Sequence, residues 1–369
     1  MTCLGLFCHF GHCHKRKPTR VIQRAPRFAL AAVALSPLPA LRLREENKNK
    51  AFEMHSSFLQ RYFPGSVAAT TDSLFAAGSI GKNAKSQIEN VADRIQGSVP
   101  KVEWDFEGIH YFDGGPLTVQ YLLVLDAINF CFWPDEELSY DHLASGLKAA
   151  LQQDNSVLDA DRLQTYDGPQ LRELLNWPRP LPLEEERIRL LHEVGIELER
   201  SYEGQAANLV KAAGNSAARL VTLVTRHFPG FRDHSLYKGR QVFLYKRAQI
   251  FVADVWGAFK GQGHGKFYDI GSITIFADYI VPAVLEQLGV LKYSSTLSNS
   301  IDSKIEISSG SEEEIEIRAC TIYAVEKMRD LIESKFAKKV LSVEMDLWLW
   351  SKGVQDSDLA HHRTLSIYY

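Results

Sequence analysis

Several common signatures are missing from this sequence. No run of about eighteen uncharged apolar residues occurs, which argues against a membrane-spanning helix. A glycine-rich dinucleotide turn, a P-loop, a His-Glu-x-x-His zinc motif and a Gly-x-Ser-x-Gly nucleophile turn are all absent. No repeat recurs at solenoid or propeller periods. Of the 369 residues, 45% are hydrophobic and 24% are charged, which is the composition of a globular protein and not of a disordered or fibrous one.

Basic residues are scarce outside the amino terminus. Residues 1–50 carry ten Lys/Arg and two Asp/Glu, whereas residues 51–369 carry 32 and 43, a balance of −11. Affinity for duplex DNA or tRNA comes mainly from neutralising phosphates. We therefore expect no stable nucleic-acid partner, although a small pocket for one nucleotide remains compatible with this charge.

Cysteine is rare and unevenly distributed. Cys131 and Cys320 lie in apolar surroundings and are predicted to be buried, reduced thiols, which favours an intracellular compartment. The first fourteen residues hold a Cys/His cluster without the paired second half of a zinc site, so no metal or cofactor is predicted. The cluster comprises Cys3, Cys8, His9, His12, Cys13 and His14.

The amino-terminal region 1–50 is predicted to be a basic extension outside the folded domain. Residues 15–44 contain eight basic residues and no acid, with an apolar run at Phe28–Leu35. This composition is that of a mitochondrial presequence, and equally that of a disordered extension. The cytoplasm is the favoured location and the mitochondrion the alternative.

The apolar periodicity from Ala51 onward is mostly helical. It predicts one mainly α domain over residues 51–369, with few short strands. Extended segments are predicted at Glu103–Phe106 and Ser272–Ile275, and also at Gln241–Phe243 if the helix predicted over 242–260 begins later. The serine-rich stretch Ser294–Ser311 is predicted to be a surface connection with a mobile tip. The predicted helices cover 83–96, 117–131, 140–153, 183–202, 205–213, 215–227, 242–260, 282–288, 312–336 and 342–351.

Two charged residues lie beside aromatic or apolar positions. Asp278 has apolar neighbours and precedes Pro282, so it either caps the next helix or forms the floor of a pocket, where a carboxylate can stabilise a developing cation. Lys246 lies at the edge of the apolar stripe of its helix. It is either a lysine with a buried stem and a solvated head or a functional cation.

Other polar residues raise similar alternatives. His110 is either a satisfied structural histidine or a ligand contact. Asn129 and Asp346 lie on otherwise apolar helices, where each is either a core hydrogen-bond hub or a reader of a polar ligand. Arg247 and Asp254, two turns apart, are expected to pair on the helix surface.

Together, seven segments of the chain resemble the queuosine salvage protein family, the queuosine 5′-phosphate N-glycosylases/hydrolases. The resemblance covers about residues 70–369. The segments are Asn129-Phe-Cys-Phe-Trp133, Phe228-Pro-Gly-Phe-Arg232-Asp233, Tyr245-Lys-Arg-Ala-Gln249, Val252-Ala-Asp-Val-Trp256, Ile273-Thr-Ile-Phe-Ala-Asp-Tyr279, Leu288-Gly-Val-Leu-Lys-Tyr293 and Ile367-Tyr-Tyr369.

The resemblance implies a helical fold similar to DNA glycosylases and release of the base queuine from queuosine 5′-monophosphate, for insertion into tRNA by a separate tRNA-guanine transglycosylase. It places the catalytic aspartate at Asp278, a base-contacting aromatic at Phe276 and the motif lysine at Lys246. His110 matches the family's ligand-contacting histidine and Asp346 matches an acid near the C-terminus.

The family pattern is broken at two positions beyond Asp346, where Leu347 and Ser351 replace an aromatic and a second acid. The leading hypothesis is a metal-free nucleotide N-glycosidase in which Asp278 stabilises the cationic ribose and Asp346 pairs with the ammonium group of queuine. The alternative is a catalytically weakened nucleoside- or RNA-binding module on the same fold.

Overall fold

The structure, a computed structural model, describes residues 67–69, 87–93, 108–356 and 358–369. The described chain is mainly α-helical, as predicted, with four short strands. The amino-terminal extension 1–50, its Cys/His cluster and the candidate strand Glu103–Phe106 lie outside the described residues.

A first hydrophobic core is built around helix α1, in which eleven of the thirteen residues are buried. A helix buried on every side must be apolar all round, which explains its weak amphipathicity. Seven further helices contribute to or border this core. The eight are α1 (Pro116–Ile128), α2 (Tyr140–Gln153), α3 (Ala160–Leu163), α4 (Gly168–Leu174), α5 (Glu184–Tyr202), α6 (Ala206–Ala212), α7 (Ala217–His227) and α8 (Lys246–Ala258).

A second core surrounds a long helix near the C-terminus. It also includes the helical segment 87–93 and three other helices of the C-terminal part of the chain. These four helices are α9 (Ile280–Gln287), α10 (Ser295–Asp302), α11 (Glu312–Phe336) and α12 (Ser342–Val354).

The strands form two small antiparallel pairs. Strand β1 (Val67–Ala69) pairs with β4 (Leu291–Tyr293). Strands β2 (His234–Tyr237) and β3 (Arg240–Phe243) form a hairpin that leads directly into α8.

Local sequence explains where several helices begin and end. Three glutamates, Glu184–Glu186, occupy the first turn of α5, where negative charge complements the helix dipole. The Ser311 hydroxyl accepts a hydrogen bond from the backbone N–H of Glu314 and caps α11. Gly289 follows α9 with φ of 73°, a conformation that favours glycine.

Some sequence predictions were wrong. Helix α10 occupies part of the stretch that was predicted to be a surface connection, because Leu297 and Ile301 are four residues apart and bury one face. Ser272–Ile275 is not a strand, since a 3-10 turn covers Ile270–Ser272 and irregular chain follows. The strand at Gln241–Phe243 is confirmed, and it delays the start of α8 from 242 to Lys246.

Candidate active site

A cavity of about 630 Å³ lies where α8 faces α12 and the segment before α9. This volume is within the range of about 300–1,000 Å³ that is typical of small-molecule sites. All six residues selected from the sequence line the cavity, namely His110, Asn129, Lys246, Phe276, Asp278 and Asp346.

Asp278 lies at the start of α9 and is buried. Its Oδ1 accepts hydrogen bonds from the backbone N–H groups of Ile280 and Val281, at 3.0 and 2.9 Å. Burial raises the pKa of the Asp278 carboxyl, while Lys246 and the two N–H donors lower it. Asp278 therefore both caps the helix and faces the cavity, so the two interpretations from the sequence are compatible.

Lys246 is the first residue of α8, and its side chain is buried instead of reaching solvent. The expectation of a solvated head was wrong, because the chain turns at Tyr245, which has φ of 50°, and directs the lysine into the cavity. Burial lowers the pKa of Lys246, and Asp278 is the strongest influence that raises it. Asp233 fixes the helix start by accepting the Lys246 backbone N–H at 2.9 Å.

A hydrogen bond joins the Asp346 carboxyl to the backbone of Phe276, and both residues line the cavity. The Oδ1 of Asp346 accepts the backbone N–H of Phe276 at 2.9 Å. Burial, and next the charge of Asp278, raise the pKa of Asp346 well above its ordinary value. This carboxyl consequently favours its neutral form, which can donate a hydrogen bond to a ligand.

His110 and Asn129 line the other side of the cavity. The Nδ1 of His110 lies 3.3 Å from the Tyr121 hydroxyl, and its ring packs against that of Tyr140 with centroids 5.7 Å apart. Asn129 directly follows α1 and is buried. Both polar side chains thus belong to the cavity lining, with His110 half-buried and Asn129 buried.

Two further carboxyls were not recognised as site residues from the sequence. Asp254 on α8 faces the cavity, and Asp126 on α1 is completely buried behind the wall. Neither Asp126 oxygen has a hydrogen-bond partner among the described residues, although the Asn129 amide weakly stabilises its ionised form. Burial raises the pKa of Asp254 to about 8, and burial together with Asp254 raises that of Asp126.

The expected surface pair between Arg247 and Asp254 does not form. Arg247 is buried, and its guanidinium donates to the backbone carbonyls of Asp126, Ala127 and Gly230. This leaves Asp254 free to face the cavity. The arginine was misassigned because helical spacing alone does not show which neighbouring elements cover a side chain.

No group of three or more His, Cys, Asp or Glu side chains in the described ranges is arranged to hold a metal ion. Within the same ranges, no helix has the length and apolarity needed to cross a membrane. Cys131 and Cys320 are buried and not disulfide-bonded.

Comparison with known proteins identifies the family. The family model described as "Queuosine salvage protein" matches residues 109–369, which is more than half of the chain. The chain belongs to the queuosine salvage protein family. The resemblance found in the sequence motifs is therefore confirmed.

Relatives of the queuosine salvage family span several kingdoms. A protein of Dictyostelium discoideum is 49% identical over 69% of this chain and 78% of its own length. A protein of Sphaerobacter thermophilus is 40% identical over 79% of this chain and 92% of its own length. A protein of Mus musculus is 35% identical over 68% of this chain and 81% of its own length. All three are named queuosine 5′-phosphate N-glycosylase/hydrolase.

The queuosine salvage match contains every cavity residue described above. Of the two positions that were predicted to depart from the family pattern, Leu347 lines the cavity, whereas Ser351 is not part of its lining. The C-terminal Tyr369 also lines the cavity, and its ring lies under the Arg318 guanidinium at 4.2 Å.

Proposed function

We propose that this protein hydrolyses the N-glycosidic bond of queuosine 5′-monophosphate, releasing queuine and ribose 5-phosphate. The observation that carries the proposal is the position of Asp278, a buried carboxyl that lines a nucleotide-sized cavity together with Phe276. The names of the relatives supply the substrate.

Asp278 is suited to stabilise the reacting sugar. Cleavage of a glycosidic bond develops positive charge on the ribose ring. Two backbone N–H groups hold the Asp278 carboxylate in place, so little reorganisation is needed when that charge develops. Lys246 favours the ionised form of Asp278, since it lowers the pKa that burial raises.

Asp346 and Phe276 are suited to hold the departing base. Queuine is a 7-deazaguanine, so it has no N7 to accept a proton as the bond to C1′ breaks. The neutral form of Asp346 can donate a hydrogen bond to the base, and the Phe276 ring can stack on it for about 1–3 kcal/mol. Water adds to C1′, and the electron pair of the broken bond leaves with the base, which gains a proton.

Incubation of the purified protein with queuosine 5′-monophosphate tests this function, with free queuine measured by mass spectrometry. The nucleoside queuosine, incubated in parallel, shows whether the phosphate is required. We expect release of queuine over many turnovers. A nucleotide that binds tightly and stays intact would instead support a binding module, for which the substitution of Leu347 at the cavity is the relevant feature.

We also propose that the released queuine is used by a separate tRNA-guanine transglycosylase in an intracellular compartment. Cys131 and Cys320 are buried and not disulfide-bonded, which supports a reducing environment. Fusion of residues 1–50 to a fluorescent reporter would decide between the cytoplasm and the mitochondrion as its location.

A further inference from the structure

We infer that Asp254 binds the secondary ammonium group of the queuine side chain and thereby selects nucleotides that carry this cation over guanine nucleotides. The inference rests on the proposed function and adds a specificity residue to it. The argument starts from the charges that line the cavity.

The described cavity lining contains more carboxyls than a neutral ligand would require. Lys246 is the only lysine or arginine among its lining residues. Four aspartates line the same cavity, and a fifth, Asp126, is buried behind it. Such a site is complementary to a ligand with a positive charge. The four lining aspartates are Asp141, Asp254, Asp278 and Asp346.

The four carboxyls do not have equal roles. Asp278 is held by two backbone N–H groups, and Asp346 has one oxygen bound to the Phe276 N–H. Asp141 is exposed at the rim. Asp254 faces the cavity from α8, and no described residue donates a hydrogen bond to its carboxyl. Of the enclosed carboxyls it is therefore the one with both oxygens available to a ligand.

The position of Asp254 fits the shape of the substrate. Lys246 and Asp254 are eight residues apart on α8, which corresponds to about 12 Å along the helix axis. Lys246 acts most strongly on Asp278, at the proposed ribose position. Asp254 lies towards the opposite end of α8, and the aminomethyl branch on C7 of queuine points away from the ribose carried by N9 of the same five-membered ring.

The protonation state of Asp254 couples binding to proton release. Burial raises the pKa of Asp254 to about 8, which favours the protonated form of this group in the free protein. A bound ammonium group favours the carboxylate and expels that proton. Other charged or titratable groups either interact electrostatically with Asp254 or line the same cavity. They are Lys246, Asp126, Tyr121, Tyr140, His110 and Asp346.

Kinetic discrimination between two nucleotides tests the inference. We compare kcat/KM for two substrates, queuosine 5′-monophosphate and 7-deazaguanosine 5′-monophosphate, which lacks the aminomethyl branch. The ratio of the first kcat/KM to the second is measured in the wild type and in Asp254→Asn. Loss of a hydrogen bond to a charged group typically lowers kcat/KM for the substrate that makes it by about 10–100-fold. We expect the ratio to fall by this factor in Asp254→Asn, and an unchanged ratio would overturn the inference.

Two matched variants locate the effect. Glu173→Gln removes an exposed carboxyl that lies outside the cavity lining and should leave the ratio unchanged. Asp346→Asn tests the residue that the sequence first suggested for the ammonium group. A fall confined to Asp346→Asn would assign the cation to Asp346 and contradict our inference.

Calorimetry on the wild type gives a test that does not depend on the folding of a variant. Binding of queuine at pH 7 is measured in buffers with different ionisation enthalpies, beside binding of neutral 7-deazaguanine. We expect proton release with queuine only. Equal proton release with both bases would refute the role of Asp254. Since this experiment measures binding, it remains decisive if the protein binds the nucleotide without cleaving it.

Discussion

Arg318 and Asp233 are buried together and joined by two hydrogen bonds, at 3.0 and 2.6 Å. Asp233 also caps the helix that begins with Lys246, and the Nε of Arg318 donates to the carbonyl of Ala277 at 2.8 Å. The pair therefore connects the segment that carries Asp278 to the helix that carries Lys246. It fixes the relative positions of the two proposed catalytic residues.

Removal of the arginine should destabilise the protein strongly. Arg318→Met leaves the buried Asp233 carboxylate without its partner, which typically costs about 3–5 kcal/mol. Urea denaturation measures this loss. The double variant Arg318→Met/Asp233→Asn should recover part of it, because the unpaired Asp233 charge is then removed and only the buried Glu314 still lacks its arginine. A double variant less stable than Arg318→Met would contradict the assigned role of the pair.

Lys246→Gln should shift the pH dependence of the reaction. Lys246 lowers the pKa of Asp278, which acts as a carboxylate, so without the lysine this pKa rises. The acidic limb of the kcat profile should therefore move to higher pH. Lys211→Gln, which changes an exposed lysine on α6, is the control. An acidic limb that stays in place or moves to lower pH would disprove the proposed influence of Lys246.

Gly353 permits close packing between α12 and α9. A methyl group at this position would overlap the Ile280 side chain and lie 2.9 Å from Cγ2 of Val284. Glycine to alanine in a helix normally stabilises by about 1 kcal/mol, but overpacking costs about 1–3 kcal/mol. We expect Gly353→Ala to lower both the melting temperature and the activity. Lys352→Ala, at the exposed neighbouring position, is the control and should change neither the melting temperature nor the activity appreciably. A Gly353→Ala variant with a higher melting temperature would contradict the close packing of the two helices.

Asp254 should make stability depend on pH. Burial raises the pKa of Asp254 from its ordinary 3.8 to about 8, so between these values the folded state binds more protons than the unfolded state. The free energy of unfolding should therefore decrease as the pH rises through this window. Asp254→Asn should reduce the slope, as measured by urea denaturation from pH 5 to 9, with Asp141→Asn as control. An identical slope in Asp254→Asn and wild type would exclude the buried proton.

The fold was predictable from sequence where periodicity extends over several turns. The predicted helix 183–202 differs from α5 by one residue, because its acidic first turn and apolar stripe are both local signals. Helices α3 and α4 were missed, since four and seven residues are too few to establish a period. The serine-rich composition around α10 hid the spacing of its two buried residues.

The site was predictable only in part. Sequence motifs selected six residues that all line one cavity, although their roles remain proposals. Asp254 and Tyr140 were missed because they meet only when α8 packs near the start of α2. Asp126 was missed for a similar reason, since a carboxyl on a buried helix gives no local signal of the groups it faces. Asp233 lay within a recognised motif, but its pairing with Arg318, 85 positions away, is a property of the folded chain.

The rate of queuine release by Asp278→Asn tests the central claim most directly. Asparagine is also a good helix cap, so it preserves the hydrogen bonds to Ile280 and Val281 while it removes the negative charge. We predict unchanged thermal unfolding and a kcat for queuosine 5′-monophosphate about 10²–10³-fold below that of the wild type. A folded Asp278→Asn variant that releases queuine at the wild-type rate would contradict the account.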